Sequence, residues 1–256
     1  MNQTLLLFIG LLPLTATAGI ELVPDATPPA VFAARPQAIS VTLRNPAGTT
    51  AEADVHTRLF QLTSGSVVPI GEAQPWKKIQ VLPRQTVLET LTLTFPEVRT
   101  ATRFRLELSG IGRTEIMVYP DDLLKQLKTL AGEPPLGVFD PEGRLKPLLK
   151  AAGVRIADFE TEPTDSKLVI VWAATASLPD SVSARVKTGM AALWIRPSLV
   201  PTTYAVRLGG GIVVVAPASS LQGLADSPLP QLNLIRDAEL ALEPDALRLP
   251  SDNQPQ

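Results

Sequence analysis

From Ile20 to about Tyr119 the apolar positions of this chain recur every second residue, the period of a half-buried strand. Ile39, Val41 and Leu43 alternate with polar neighbours and stop at the turn Asn45-Pro46-Ala47-Gly48. "ADVHTRLFQL", "SVVPIG", "KKIQVLP" and "TVLETLTLTFP" follow, and "TRFRLELSGIGRTEIMVYP" closes the set. In the last, Phe104, Leu106 and Leu108 alternate with Arg103, Arg105 and Glu107, and Ser109-Gly110-Ile111-Gly112 makes a hairpin link. Six or seven short strands, with turn residues every eight to twelve positions or so, predict an all-β sandwich of immunoglobulin-like type.

Around Tyr119-Pro120 the period changes. "DDLLKQLKTLAG" predicts a short amphipathic helix, capped by Asp121 or Asp122 and followed by Gly132. Strands and helices then alternate: "LGVFD", helix "PEGRLKPLLKAAG", "VRIADFE", "KLVIVWA", helix "LPDSVSARVKTGM", "AALWIRP". Continuously apolar strands between helices imply a parallel sheet covered on both faces, an α/β flavodoxin-like domain. The expected division is a signal peptide at 1–18, the sandwich at 19–119, the α/β domain at 120–242 and a polar tail at 243–256.

Gly209-Gly210-Gly211 invites comparison with a phosphate-binding loop. Such loops leave a strand and open a helix, so that the helix amides meet the anion. Here "TTYAVRL" precedes the glycines and the strand-like "IVVVAP" follows. The G-x-G-x-x-G spacing and any Walker-type lysine are absent. The expectation is a hairpin turn.

Composition narrows the function classes. A net charge of -2 with no run of five like charges argues against nucleic acid. The apolar run Leu5 to Leu14, ending in Ala16-Thr17-Ala18, reads as a secretory signal cut after Ala18, although Met1 to Thr4 carry no Lys or Arg. The run is shorter than the roughly 20 residues a spanning helix needs, so no membrane span is expected in the mature chain. The sequence holds no cysteine, hence no disulfide framework, lipid-bearing cysteine or thiolate nucleophile. An exported bacterial protein, periplasmic or extracellular, is the expectation.

Two stretches, "DSKLVIVWAATASLPDSVSARVKTGMAALWIRP" and "YAVRLGGGIVVVAPASSLQGL…LPQLNLIRDAELALE", resemble the class I glutamine-amidotransferase-like domains of bacterial envelope proteins. The resemblance covers roughly residues 135 to 242; Val182, Val186 and Gly189 match, whereas Met190 stands where a second glycine belongs. It implies a flavodoxin-like fold beside an immunoglobulin-like domain. Active members carry a cysteine on a strand-to-helix elbow, then a histidine and a glutamate. This chain has no cysteine, its lone histidine His56 lies in the sandwich, and no G-x-S-x-G replaces the elbow. The resemblance therefore implies a catalytically silent version, a binding or scaffold module.

Five residues are candidates for a ligand site, since open α/β sheets bind at the carboxyl ends of their strands. Asp140 closes the first parallel strand and also suits a helix cap with Pro141 in the first helical position. Trp172, Thr175 and Ser177 follow the central strand; Trp172 suits either the core or stacking on a sugar. Ser219 in "PASS" completes the rim. Asp158, Glu160, Glu162 and Asp165 form an acidic group, read as a solvated edge or as paired carboxylates for glycoside cleavage. His56 without His or Cys partners makes no zinc site, and no D-x-D-x-D-G calcium loop occurs, so no metal or cofactor is expected. The sequence thus favours a non-enzymatic envelope protein that binds another envelope protein. A glycan or small-molecule module at the rim and a carboxylate-dependent hydrolase are the alternatives.

Overall fold

The computed structural model describes residues 19–161, 165–196 and 202–243. The expected signal peptide, Glu162 and all but the first residue of the expected tail lie outside them. The architecture is sheet-dominated, with a three-stranded, a five-stranded and a six-stranded sheet and few helices. Chain contacts divide the described residues into two compact units, 19–29, 36–93 and 103–116 in the first, 30–35, 94–102 and the stretch from 117 onward in the second.

In the first unit β1 (Glu21–Val23), β3 (Pro36–Arg44) and β6 (Thr86–Thr94) form the three-stranded sheet, with β1 antiparallel to β3. The alternation of β3 is realised in its burial: Ile39, Val41 and Leu43 are buried while their neighbours face outward. The second sheet runs β8 (Gly112–Tyr119), β7 (Thr102–Leu108), β4 (Ala51–Leu62), β5 (Val67–Val81). Phe104, Leu106 and Leu108 are fully buried, as their period requires. The stretch expected as two strands, "SVVPIG" and "KKIQVLP", is the single long strand β5. Its ladder with β4 absorbs Pro75 through register shifts beside His56 and Thr57, so the proline bends the strand rather than ending it. His56 is exposed on β4.

In the second unit β2 (Ala30–Phe32) runs parallel to the last residues of β8. The six-stranded sheet has the order β10 (Ile156–Asp158), β9 (Leu136–Phe139), β11 (Leu168–Trp172), β12 (Ala191–Arg196), β14 (Gly211–Pro217), β13 (Tyr204–Leu208). All its pairings are parallel except β13 on β14, an antiparallel hairpin at the edge. Apolar residues line both faces because both are covered. Val138, Ile170, Leu193 and Val214 face the core that holds α1 (Gln126–Ala131), α2 (Lys146–Ala151) and α4 (Pro228–Leu242). Val169, Val171, Ala192 and Val213 face α3 (Asp180–Lys187) through Val182 and Val186.

The three glycines do form a hairpin turn between β13 and β14, but a second demand fixes them. Gly209 has φ of +62°, whereas Gly210 does not share the positive φ, the pattern of a type II′ turn. A Cβ on Gly211 would lie 2.3 Å from the Met190 carbonyl oxygen and 2.4 Å from that of Val186. The hairpin therefore packs backbone to backbone against the end of α3, closer than any side chain allows.

Candidate functional site

The carboxyl ends of β9 and β10 carry the most developed polar arrangement of the second unit. Asp140, just past β9, is 1% exposed. Its Oδ1 accepts from the Arg144 amide at 3.0 Å, and its Oδ2 from the amides of Leu145 at 2.7 Å and Lys146 at 2.9 Å. The capping role expected of Asp140 is present in altered form. Residues 141–145 form a turn, the helix begins at Lys146, and its early proline is Pro147 rather than Pro141. Glycine at 143 with φ of +66° lets the chain turn back so that a single carboxylate reaches three consecutive amides.

Lys146 links this cap to the acidic group. Its ammonium donates to Asp158 Oδ1 at 3.0 Å and to Glu160 Oε1 at 2.7 Å. Glu160 Oε1 also accepts the Asp140 amide at 2.9 Å, and the Glu160 amide donates to Asp158 at 3.1 Å. Burial disfavours the charge on Lys146, but its bonds to Glu160 and Asp158 outweigh that and hold its pKa above the ordinary lysine value. The Lys146 bond in turn keeps the Asp158 carboxyl below the usual carboxylate range. A general acid needs the opposite shift. Asp165 stands apart from this group, exposed and paired with Arg185 at 3.1 Å.

The other candidates are spread along the same edge. Trp172 is 8% exposed at the end of β11 and belongs to the core on the α4 face. Its ring is thus packed rather than open for stacking, and its buried Nε1–H has no partner among the described residues. Thr175 and Ser177 are exposed in the loop before α3, and Ser219 is exposed in the 3-10 turn after β14. Topology brings all five to one edge, yet only Asp140 joins the hydrogen-bonded group. Sequence reading missed Lys146; its signal was a lysine six residues after the capping aspartate, opposite the alternating pair Asp158 and Glu160. Among the described residues no group of three His, Asp or Glu is arranged to hold a metal.

At the opposite flank β13 ends the sheet, and among the described residues no strand pairs with its outer side. Tyr204 and Val206 are 44% and 50% exposed there. In the two-residue hairpin, Leu208, Val206 and Tyr204 hold the bonds to β14, so the N–H and C=O of Ala205 and Arg207 face outward.

No family model matches this chain, and no curated protein matches it. Among solved structures it is similar to the β-glucosidase from Listeria innocua, with 15% identity over 40% of this chain and 16% of that one, at a TM-score of 0.30. It is also similar to the CARDB domain of the PF1109 protein from Pyrococcus furiosus, with 13% identity, 40% and 90% coverage and a TM-score of 0.26. The alkylpurine DNA glycosylase AlkC of Pseudomonas fluorescens matches at 12% identity, 40% and 31% coverage and 0.30. The chain thus spans under a fifth of the β-glucosidase, and likenesses at these scores define neither a fold family nor an activity for it.

Proposed function

We propose that this chain is an exported, non-enzymatic envelope protein that recruits a partner protein by adding a strand of that partner to β13. In this reading the first unit is an immunoglobulin-like sandwich. The second is a flavodoxin-like domain, whose parallel strands follow the order 2-1-3-4-5 when numbered from β9, as in the degenerate amidotransferase-like class that the sequence resembles.

The observation that carries the proposal is the outer edge of β13, which no strand among the described residues covers. Natural edges are blunted with prolines, bulges and lysines. The long edge strand β5 has them all, in Pro69, Pro75, two register shifts and the pair Lys77-Lys78. β10, at the far side of the six-stranded sheet, is only three residues long. β13 has neither proline nor bulge, and it exposes two large apolar side chains on one face. Such an edge is a template for β-augmentation, with main-chain bonds supplying affinity.

The test uses Ala205→Pro, which removes an outward amide and no bond to β14. A photo-crosslinking residue at Val206 of the exported chain is expected to capture one stoichiometric partner, and Ala205→Pro to abolish that capture at unchanged thermal stability. Identical capture by the proline variant would refute strand addition. A small-molecule site at the carboxyl edge is the second reading, favoured by the unpartnered Nε1–H of Trp172, and calorimetry with cell-wall sugars tests it.

A further inference from the structure

A cavity of about 350 Å³ opens beside the glycine hairpin, at the amino edge of the six-stranded sheet. Lys167, before β11, and Arg207, on β13, contribute its cations, and Ile212, Ala241 and Leu242 its apolar part. Among the described residues neither cation has a hydrogen bond or ion pair. Side chains alternate along β13: Tyr204, Val206 and Leu208 lie on the α3 face, where Leu208 joins that core, and Ala205 and Arg207 lie on the α4 face. Arg207 therefore combines an outward-facing backbone with a side chain lining the cavity.

We propose that the strand that pairs with β13 carries an acidic side chain on its α4 side, so that the partner is an extended acidic segment with a carboxylate set against Arg207. The inference rests on the strand-addition reading and adds the partner's chemistry. An added strand places its residues in cross-strand contact with Arg207, with Cβ atoms about 5 Å apart, within reach of a carboxylate. The apolar Tyr204 and Val206 on the other face ask for apolar residues at the alternate positions. The partner segment thus alternates apolar side chains toward α3 with a polar, acid-bearing set toward α4.

Two labelled seven-residue peptides test this on the full chain by fluorescence anisotropy. Both carry valine at odd positions and threonine at positions 2 and 6; one has glutamate at position 4, the other glutamine. The glutamate peptide is expected to bind about three- to ten-fold tighter at low salt. Arg207→Gln should shrink that ratio, 0.5 M salt should erase most of it, and Ala205→Pro should weaken both peptides alike. Equal affinity of the two peptides, both lost in Ala205→Pro, overturns the acidic partner while strand addition stands. Binding insensitive to Ala205→Pro, or no binding of either peptide, overturns both. Binding that appears only after removal of residues 244–256 assigns this edge to the chain's own terminus and likewise overturns the proposal.

Discussion

At the residue scale, two ionic groups answer pH in opposite ways. Asp158, held low by Lys146, contributes stability that is complete above its unfolded value near 3.8 and lost as pH falls through its lowered folded value. Lys146, held high, contributes below its unfolded value near 10.5 and loses that contribution as pH rises through its raised folded value. Lys146→Met leaves Asp158 and Glu160 without their shared donor. The expected outcome is a loss of about 1 to 3 kcal/mol at pH 7 by denaturant unfolding, with the Asp158 carboxyl titrating at higher pH by NMR. Asp237 on α4 is the reverse case. It is 1% exposed, and burial raises its pKa beyond what Arg236 at 3.2 Å and Thr203 at 3.4 Å restore. The native state therefore holds its proton more tightly than the unfolded state, and stability falls as pH rises from about 3.8 through the raised value. Asp237→Asn removes that penalty, so between pH 4 and pH 8 its Tm relative to wild type should increase until the pH passes the raised value and level off above it. A gap that is flat across this range would mean that Asp237 does not titrate differently in the two states.

At the element scale, legibility followed the range of the physics. Local pattern was enough for the alternating strands β3 and β7, where parity sets each residue's burial, and for the continuously apolar β11, whose two faces are both covered. Helix ends were less legible. The helix was expected to begin at Pro141, but Gly143 turns the chain, the carboxylate of Asp140 takes three later amides onto itself, and the helix begins at Lys146. The continuity of β5 through Pro75 depends on bulges in the β4 ladder, which no local pattern reveals. The glycine hairpin was readable as a turn; its closeness to Val186 and Met190 was not, since those residues meet it only in the folded sheet. Gly211→Ala should therefore cost about 3 kcal/mol or more in chemical denaturation, the upper range for overpacking into backbone. Ala at Gly143 meets no neighbour and pays only for its positive φ, so it should cost less.

The candidate site was legible in part. Asp140, Trp172, Thr175, Ser177 and Ser219 were placed on one sheet edge by the rule for parallel strands, and that edge is where they lie. The rule says nothing of which side chains engage one another. Lys146, a long-range donor from the following helix, takes up Asp158 and Glu160 and leaves the first two strand ends internally satisfied.

At the scale of the whole molecule, the proposed interacting surface is a sheet edge rather than a pocket of catalytic groups. The acidic group on the carboxyl edge is engaged by Lys146 and by backbone amides. The outer side of β13 presents main-chain groups, two exposed apolar residues and, through Arg207, a cation facing a cavity. No helix among the described residues is long and apolar enough to cross a membrane.

Amide hydrogen exchange tests the central claim most directly, on the purified chain alone and in complex with the partner captured from Val206. The account predicts fast exchange of the outward amides of Ala205 and Arg207 in the free chain and strong protection of those two in the complex, with the amides bonded to β14 already slow in both. Protection confined to the carboxyl edge or to β5, with Ala205 and Arg207 still exchanging freely, would contradict it.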